Sequence, residues 1–356
     1  MKRRDLLIRS SAVVAGGLIA ACGGAAAPSA APSAASSAGA AAASPSASAA
    51  PTKVKLGWVS VSAANSAIWS AEDGGYLKKY GLDAENPNFA DSTQAVAALI
   101  SKGTNINCGI SGTAIVAANL KGSDLVIIAS TISTFPNSLY SKTSLAKVAD
   151  LKGKKVGVTR IGTASDTAAR LALKSGGLDP DKDVEYIQTG GLNETVAALQ
   201  ANQIDAGALS PPQTLAARKL GFKELIDVST LGLQYVYNGV AVSKAWAGQN
   251  SATVEAVLKA ILEGEHRFKT DAAFGKQVVA TRAKLKDQGQ IDETYSLFAT
   301  KYLTYPPVPT EAAIVTVLDE LSKTRTDTKG ADPKKFLDTS YIQKLQDSGF
   351  IKGLGS

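Results

Sequence analysis

Cysteine is nearly missing from this chain: Cys22 and Cys108 are the only two in 356 residues. They build no disulfide framework, and no C-x-x-C spacing offers a zinc or redox site. Histidine is scarcer still. His266 stands alone in the helical-looking run 254–269, so no histidine cluster can hold a metal. The patterns HExxH and GxxxxGK[ST] are absent too, which removes the usual zinc-peptidase and phosphate-loop chemistries. Ser144-Leu145-Ala146-Lys147 matches S-x-x-K, but neither SDN nor KTG accompanies it, so it reads as chance. Aromatics make up 6% of the residues and do not interleave with Lys/Arg blocks, which argues against nucleic-acid binding. Internal repeats, the mark of a structural scaffold or adhesin, are not evident. Neither an enzyme nor a cofactor or metal is expected.

What the chain does have begins with its charge, formally +7. Lys2, Arg3, Arg4 and Arg9 fall in the first 21 residues against Asp5 alone. An apolar stretch Ala12–Ala21 follows. It is too short for a bilayer span, which takes about 20 apolar residues, and fits the core of a signal peptide over 1–21. It ends in Leu18-Ile19-Ala20-Ala21-Cys22, which resembles the lipobox of bacterial lipoproteins. That resemblance implies cleavage before Cys22, lipid on its thiol, and an extracytoplasmic protein anchored to the membrane. A plain signal peptide with an incidental Cys is the other reading. Arg3-Arg4-Asp5-Leu6-Leu7 fits a twin-arginine export signal or an ordinary basic start. Residues 23–52 are almost all Ala, Ser, Gly and Pro and read as a flexible tether. By the flexible-coil estimate, ~30 such residues reach roughly 30 Å.

From Lys53 short apolar strands alternate with helical patterns. Strands are expected at 54–59, 82–89, 105–110 and 125–131, with helices at 64–79, 92–102 and 112–121. Asp91 reads as a helix N-cap, and Gly81, Gly103 and Gly122 as helix ends. A second unit repeats the alternation: strands 155–159, 184–188 and 205–209, helices 163–174, 192–201 and 212–220. Residues 233–242 look extended, and the chain from Ser251 on looks helical. Such alternation argues an α/β fold with mainly parallel sheets.

Several segments carry a family resemblance. They are the run Ala71–Asp83 (AEDGGYLKKYGLD), Ala95–Gly103, Asp150–Val158 (DLKGKKVGV), and Ala197–Gly207 followed by Pro211. Together they resemble the extracytoplasmic solute-binding proteins of ABC transporters of the nitrate/sulfonate/taurine type, in the thiamine-pyrimidine-precursor-binding superfamily. The resemblance covers roughly residues 53–245. It implies a two-lobed periplasmic-binding-protein fold of type II, with two crossover segments and a helical C-terminal part. The first lobe takes 53–137 plus 238–356 and the second 138–237. It implies a small-molecule ligand, an ABC permease as partner, and a monomer. A small organic anion is the ligand expected; a pyrimidine, riboflavin or another vitamin precursor is the alternative.

Ligands of open α/β sheets gather beyond the carboxyl ends of strands, where helix N-termini favour anions. The strand-end loops supply the ligand-binding candidates. They are Ser62, Asn65, Ser111, Gly112 and Thr113 in the first lobe, and Arg160, Gly162, Thr163, Asn193, Ser210 and Gln213 in the second. For the hydroxyl residues, helix capping is the competing role. Two readings also fit Arg160: a guanidinium that grips a ligand oxyanion with two parallel bonds, or a surface residue paired with Asp166. Trp58, Trp69, Tyr235 and Tyr237 fit either a cleft wall or the core.

Overall fold

The computed structural model describes residues 50–355. The expected signal segment, lipid-bearing Cys22 and nearly all of the tether lie outside the described residues. Among the described residues, no helix is long and apolar enough to cross a membrane.

Strand β1 (Thr52–Val59) starts the first lobe, within the last residue assigned to the tether. A short turn leads to helices α1 (Ser66–Asp73) and α2 (Tyr76–Lys79). Strands β2 (Leu82–Glu85) and β3 (Asn88–Phe89) follow as two pieces of the expected single strand. Pro87 lies between them and has no N–H for a ladder. Both pieces run parallel to β1. Helix α3 (Ser92–Ile100), strand β4 (Ile106–Ile110), helix α4 (Gly112–Asn119) and strand β5 (Leu125–Ile132) complete this stretch. Every residue of β5 is buried, as expected of a continuous apolar strand covered on both faces.

The chain then crosses to a second sheet. It holds β6 (Ser138–Ser141), β7 (Lys154–Val158), α5 (Ala164–Ser175), β8 (Val184–Gln188), α6 (Leu192–Gln200), β9 (Ala206–Leu209), α7 (Gln213–Lys219) and β10 (Lys223–Asp227). It returns as β11 (Asn238–Ser243). The C-terminal part is helical: α8 (Lys244–Gln249), α9 (Ser251–Thr270), α10 (Ala272–Arg282), α11 (Gln288–Leu297), α12 (Glu311–Ser322), α13 (Ser340–Asp347) and α14 (Phe350–Leu354).

The sheets run β2-β1-β4-β11-β5, with β3 also on β1, and β10-β6-β9-β7-β8. The expectation of mainly parallel sheets is corrected here, because both are mixed. β11 lies antiparallel to β4 and β5, and β6 antiparallel to β9 and β10. The cause is the double crossing. β6 and β11 each enter their sheet from the side toward which its parallel strands point. β6 and β10 carry no sequence expectation. β6 is four residues long, and β10, KELID, is a charged edge strand.

One buried cluster packs α1, α9 and α10 on the first sheet. Another covers its opposite face and continues through the crossovers into β7, β9 and α5. At this waist Phe135 and Tyr235, one from each crossover, stack with ring centroids 4.1 Å apart. Such a pair contributes roughly 0.5–1.5 kcal/mol beyond its buried area. The two lobes therefore share a packed waist, and their strand ends face each other across it.

Candidate functional site

Between the lobes lies a cavity whose wall comes from both sides. The first lobe gives Val59, Ser60, Ser62, Ala64, Asn65, Asp91, Ser92, Gly109 and Asn238. The second gives Thr159, Thr163, Ala164, Ser165 and Leu192, and the crossover gives Tyr237. Its volume is about 50 Å³. A single buried water needs roughly 10–15 Å³, so the space suits a compact solute.

Local sequence explains the first-lobe wall. β1 ends at Val59, and Ser60 turns the chain with φ 62°, a left-handed conformation rare for a residue with a Cβ. Asn65 closes this turn: its Nδ2 donates to the carbonyls of Val59 at 2.6 Å and Ser60 at 2.9 Å. Gly109, at φ +76°, makes room for it. A Cβ at that position would stand 2.6 Å from Asn65 Oδ1. Ser62 caps the turn before α1 through Ala64 N–H, and its Oγ lies 3.3 Å from Ser210 Oγ of the other lobe.

In the second lobe the loop after β7 is a hydroxyl cluster. Thr159 Oγ1 lies 3.0 Å from Thr163 Oγ1 and 2.8 Å from Ser165 Oγ, and all three residues are buried. Thr163 precedes α5 without capping it by its side chain, and Gly191 cannot cap α6. The first N–H groups of both helices therefore have no side-chain acceptor. These are donors of the kind that bind oxyanions at helix N-termini.

The other expected ligand residues sit beside the wall. Ser111 accepts from Ala114 N–H as the cap of α4, and Gly112 donates its N–H to the Val236 carbonyl at 2.8 Å. Thr113 Oγ1 lies 2.7 Å from the Tyr235 hydroxyl and 3.2 Å from Thr167 Oγ1, joining waist and second lobe. Gly162 donates to Asp166 Oδ2 at 2.9 Å. Gln213 Nε2 donates to Asn193 Oδ1 at 3.0 Å and reaches the Val61 carbonyl at 3.4 Å across the cleft. Trp58 and Trp69 pack edge to face, 5.5 Å between centroids, away from the cavity.

Arg160 does not pair with Asp166. Its Nε donates to Asp91 Oδ2 at 2.8 Å, across the lobes. Asp166 is held instead by Arg170, whose Nε lies 2.9 Å from Oδ1. Asp91 is the charged residue on the cavity wall, and its side chain is 1% exposed. Burial raises its carboxyl pKa. The Thr93 hydroxyl, the Gln94 amide and Arg160 outweigh that, and the net shift is downward. The group stays ionised and fully occupied. Burial also pushes the Tyr237 phenol up to about 12, so it stands as a neutral hydroxyl at the cavity.

Sequence reasoning places the loops but selects only Ser62, Asn65 and Thr163 of the wall. Thr159 stands next to Arg160 and Ser165 two residues after Thr163, in the same loop, whereas Ser92 follows the N-cap Asp91 in a loop with no selected residue. Asn238 is missed outright. Its signal is a lone amide at the head of the apolar run Gly239–Val242. Among the described residues, no group of His, Cys, Asp and Glu is placed to hold a metal ion.

With this geometry in place, comparison with known proteins is informative. A binding protein of Brucella abortus is 29% identical over 159 residues, 45% of this chain and 48% of that protein. The riboflavin-binding protein RibY of Chloroflexus aurantiacus is 28% identical over 158 residues, 43% of this chain and 44% of RibY. The chain thus spans about half the length of these curated relatives. Among solved structures, the alkanesulfonate-binding protein SsuA of Xanthomonas axonopodis pv. citri, bound to MOPS, matches with TM-score 0.69 and 19% identity. That match covers 82% of this chain and 99% of SsuA. The periplasmic nitrate-binding protein NrtA of Synechocystis PCC 6803 matches with TM-score 0.69 and 17% identity, covering 84% of this chain and 89% of NrtA. Both likenesses establish the periplasmic-binding-protein fold. The family model described as NMT1/THI5 like matches residues 64–271, more than half of the chain, and the chain belongs to that family.

Proposed function

We propose that this protein is the solute-binding component of an ABC importer and captures a small oxyanion-bearing solute, nitrate or a short sulfonate such as taurine. The observation that carries the reading is the cavity. Hydroxyls of Thr159 and Ser165 and the uncapped start of α5 converge on a space of about 50 Å³. Such donors favour an anion, and the volume favours a compact one. Ser62, Asn65, Ser92, Tyr237 and Asn238 complete the wall with neutral polar groups. The sulfonate- and nitrate-binding neighbours support the same class. The resemblance to RibY favours a flavin instead, and that is the second reading.

In this reading Cys22 carries the lipid anchor, the tether lets the lobes reach the permease, and the lobes close about hinges near 135–140 and 235–240. Calorimetric titration of the purified protein tests the ligand class. Nitrate, taurine and methanesulfonate are set against riboflavin and pyrimidine precursors. Binding of an oxyanion at micromolar concentration, near −8 kcal/mol, is expected. Binding of riboflavin or a pyrimidine alone overturns the reading. Mass spectrometry of membrane-extracted protein tests the anchor, with an acylated N-terminal Cys22 as the expected species.

A further inference from the structure

We propose that Asp91 and Arg160 form a ligand-independent latch that sets how far the lobes stand closed before any solute arrives. Asp91 is fixed to the first lobe by its own helix. Its Oδ1 accepts from Thr93 N–H at 2.8 Å and Gln94 N–H at 3.1 Å, and from the Thr93 hydroxyl. Oδ2 is left over, and it receives Arg160 Nε of the second lobe at 2.8 Å. The carboxylate is 1% exposed, whereas the guanidinium is 44% exposed at the rim. A carboxylate buried so completely needs a compensating charge, and here that charge belongs to the opposite lobe.

The latch also acts on the wall. The Arg160 carbonyl accepts the Thr163 hydroxyl at 2.7 Å, and Thr163 lines the cavity. Drawing Arg160 onto Asp91 therefore brings the hydroxyl cluster of the second lobe over the first. Arg160 and Asp91 are positioning residues: they hold the wall in place and need no solute between them. Other cross-lobe links have more exposed carboxylates: Lys174–Glu320 at 3.2 Å with the carboxylate 10% exposed, Lys301–Asp227 at 3.0 Å with 26%, and Arg218–Glu293 exposed on both sides. Ser62 and Ser210 stand 3.3 Å apart. The inference rests on the cavity being the solute site, but its test uses no solute. A failure of the ligand class leaves the test standing.

The measurement is the distribution of distances between spin labels at Lys121→Cys and Lys182→Cys, one per lobe, in the ligand-free full chain. The parent is compared with Asp91→Asn and Arg160→Ala. Asn caps a helix as well as Asp does, so Asp91→Asn removes the charge and keeps α3. At low salt the parent is expected mostly closed. Each substitution should raise the open-to-closed ratio by roughly five- to thirtyfold, a partly buried ion pair discounted for the exposed guanidinium. The double variant should open no further than either single one, because both remove the same interaction. Thermal melts confirm that each variant is folded. A parent already open without solute, or variants with the parent's distances, overturns the latch, and so does additive opening in the double variant.

Discussion

The two lobes aim helix starts at the same cavity and treat them differently. In the first lobe side chains close those starts: Ser62 serves Ala64, and Asp91 serves Thr93 and Gln94. In the second lobe α5 follows Thr163 and α6 follows Gly191 without a side-chain cap. The first lobe is thus a self-satisfied wall, fixed before any ligand comes. The second keeps free donors, which a bound anion would satisfy. If the solute is the oxyanion proposed above, its charge belongs to the second lobe and its neutral packing to the first.

The largest expected effect tests that assignment directly. Thr159→Val with Ser165→Ala should weaken binding of the best oxyanion by at least roughly 10- to 150-fold, the loss of one hydrogen bond to a charged group at about 1.5–3 kcal/mol. Ser62→Ala with Ser92→Ala in the first lobe should cost clearly less. Titration calorimetry reads both, and equal losses would dissolve the distinction between the lobes.

Two glycines sharpen it on the side of stability. Gly109 and Gly162 both have positive φ, +76° and +84°, but only Gly109 is crowded. Gly162→Ala should cost about 1 kcal/mol for the left-handed backbone alone. Gly109→Ala must also displace Asn65, so its cost should reach about 2–4 kcal/mol. Urea unfolding of the two variants gives the difference, which measures how rigidly Asn65 holds the first-lobe wall.

A pH effect comes from the first lobe. Glu265 is fully buried, and neither carboxyl oxygen has a partner. Burial raises its pKa well above the ordinary value, against a smaller opposing pull from Lys269. Glu72 is raised to about 7, again by burial first, with Arg282 opposing. A carboxyl raised on folding stabilises the fold fully below its unfolded pKa of about 4.3, and the contribution is lost as pH rises through the folded value. Stability should therefore fall between pH 5 and 8. Glu265→Gln should recover about 1–3 kcal/mol at pH 8 and flatten the profile, as followed by thermal melts. A profile unchanged by the substitution would mean that Glu265 does not titrate there.

The smallest effect is expected at the exposed seam. Arg218 pairs with Glu293 and Lys219 with Asp287 across the lobes, all four well exposed. Arg218→Ala and Lys219→Ala should each change stability and lobe distance by less than about 1 kcal/mol. A larger opening from these than from Asp91→Asn would move the latch to the seam.

Much of the fold was legible before the structure. β8 falls on the expected residues, and most other elements differ by one or two positions, because apolar periodicity and glycine stops mark them locally. What escaped was local in appearance and tertiary in origin. β6 is strand only because β9 and β10 flank it, and mixed sheets follow from where the crossovers enter.

At the candidate site the residue types were readable and the partners were not. Small hydroxyls, Asn65 and the glycines follow from strand-end loops, and those loops are visible in the order of strand, turn and helix. Position in sequence also determined the basic, apolar and Cys-ended start and the Ala/Ser/Pro stretch after it. Which hydroxyl is spent as a cap and which faces the cavity depends on how two distant loops meet. Arg160 shows the reason most clearly. Sequence offers it Asp166, six residues away, but helix α5 gives that carboxylate to Arg170, one turn on. Asp91, 69 residues earlier, becomes its partner only when the second sheet folds back against the first. Pairing at that range is fixed by the crossing of two segments through the packed Phe135–Tyr235 waist, and nothing local in the chain encodes it.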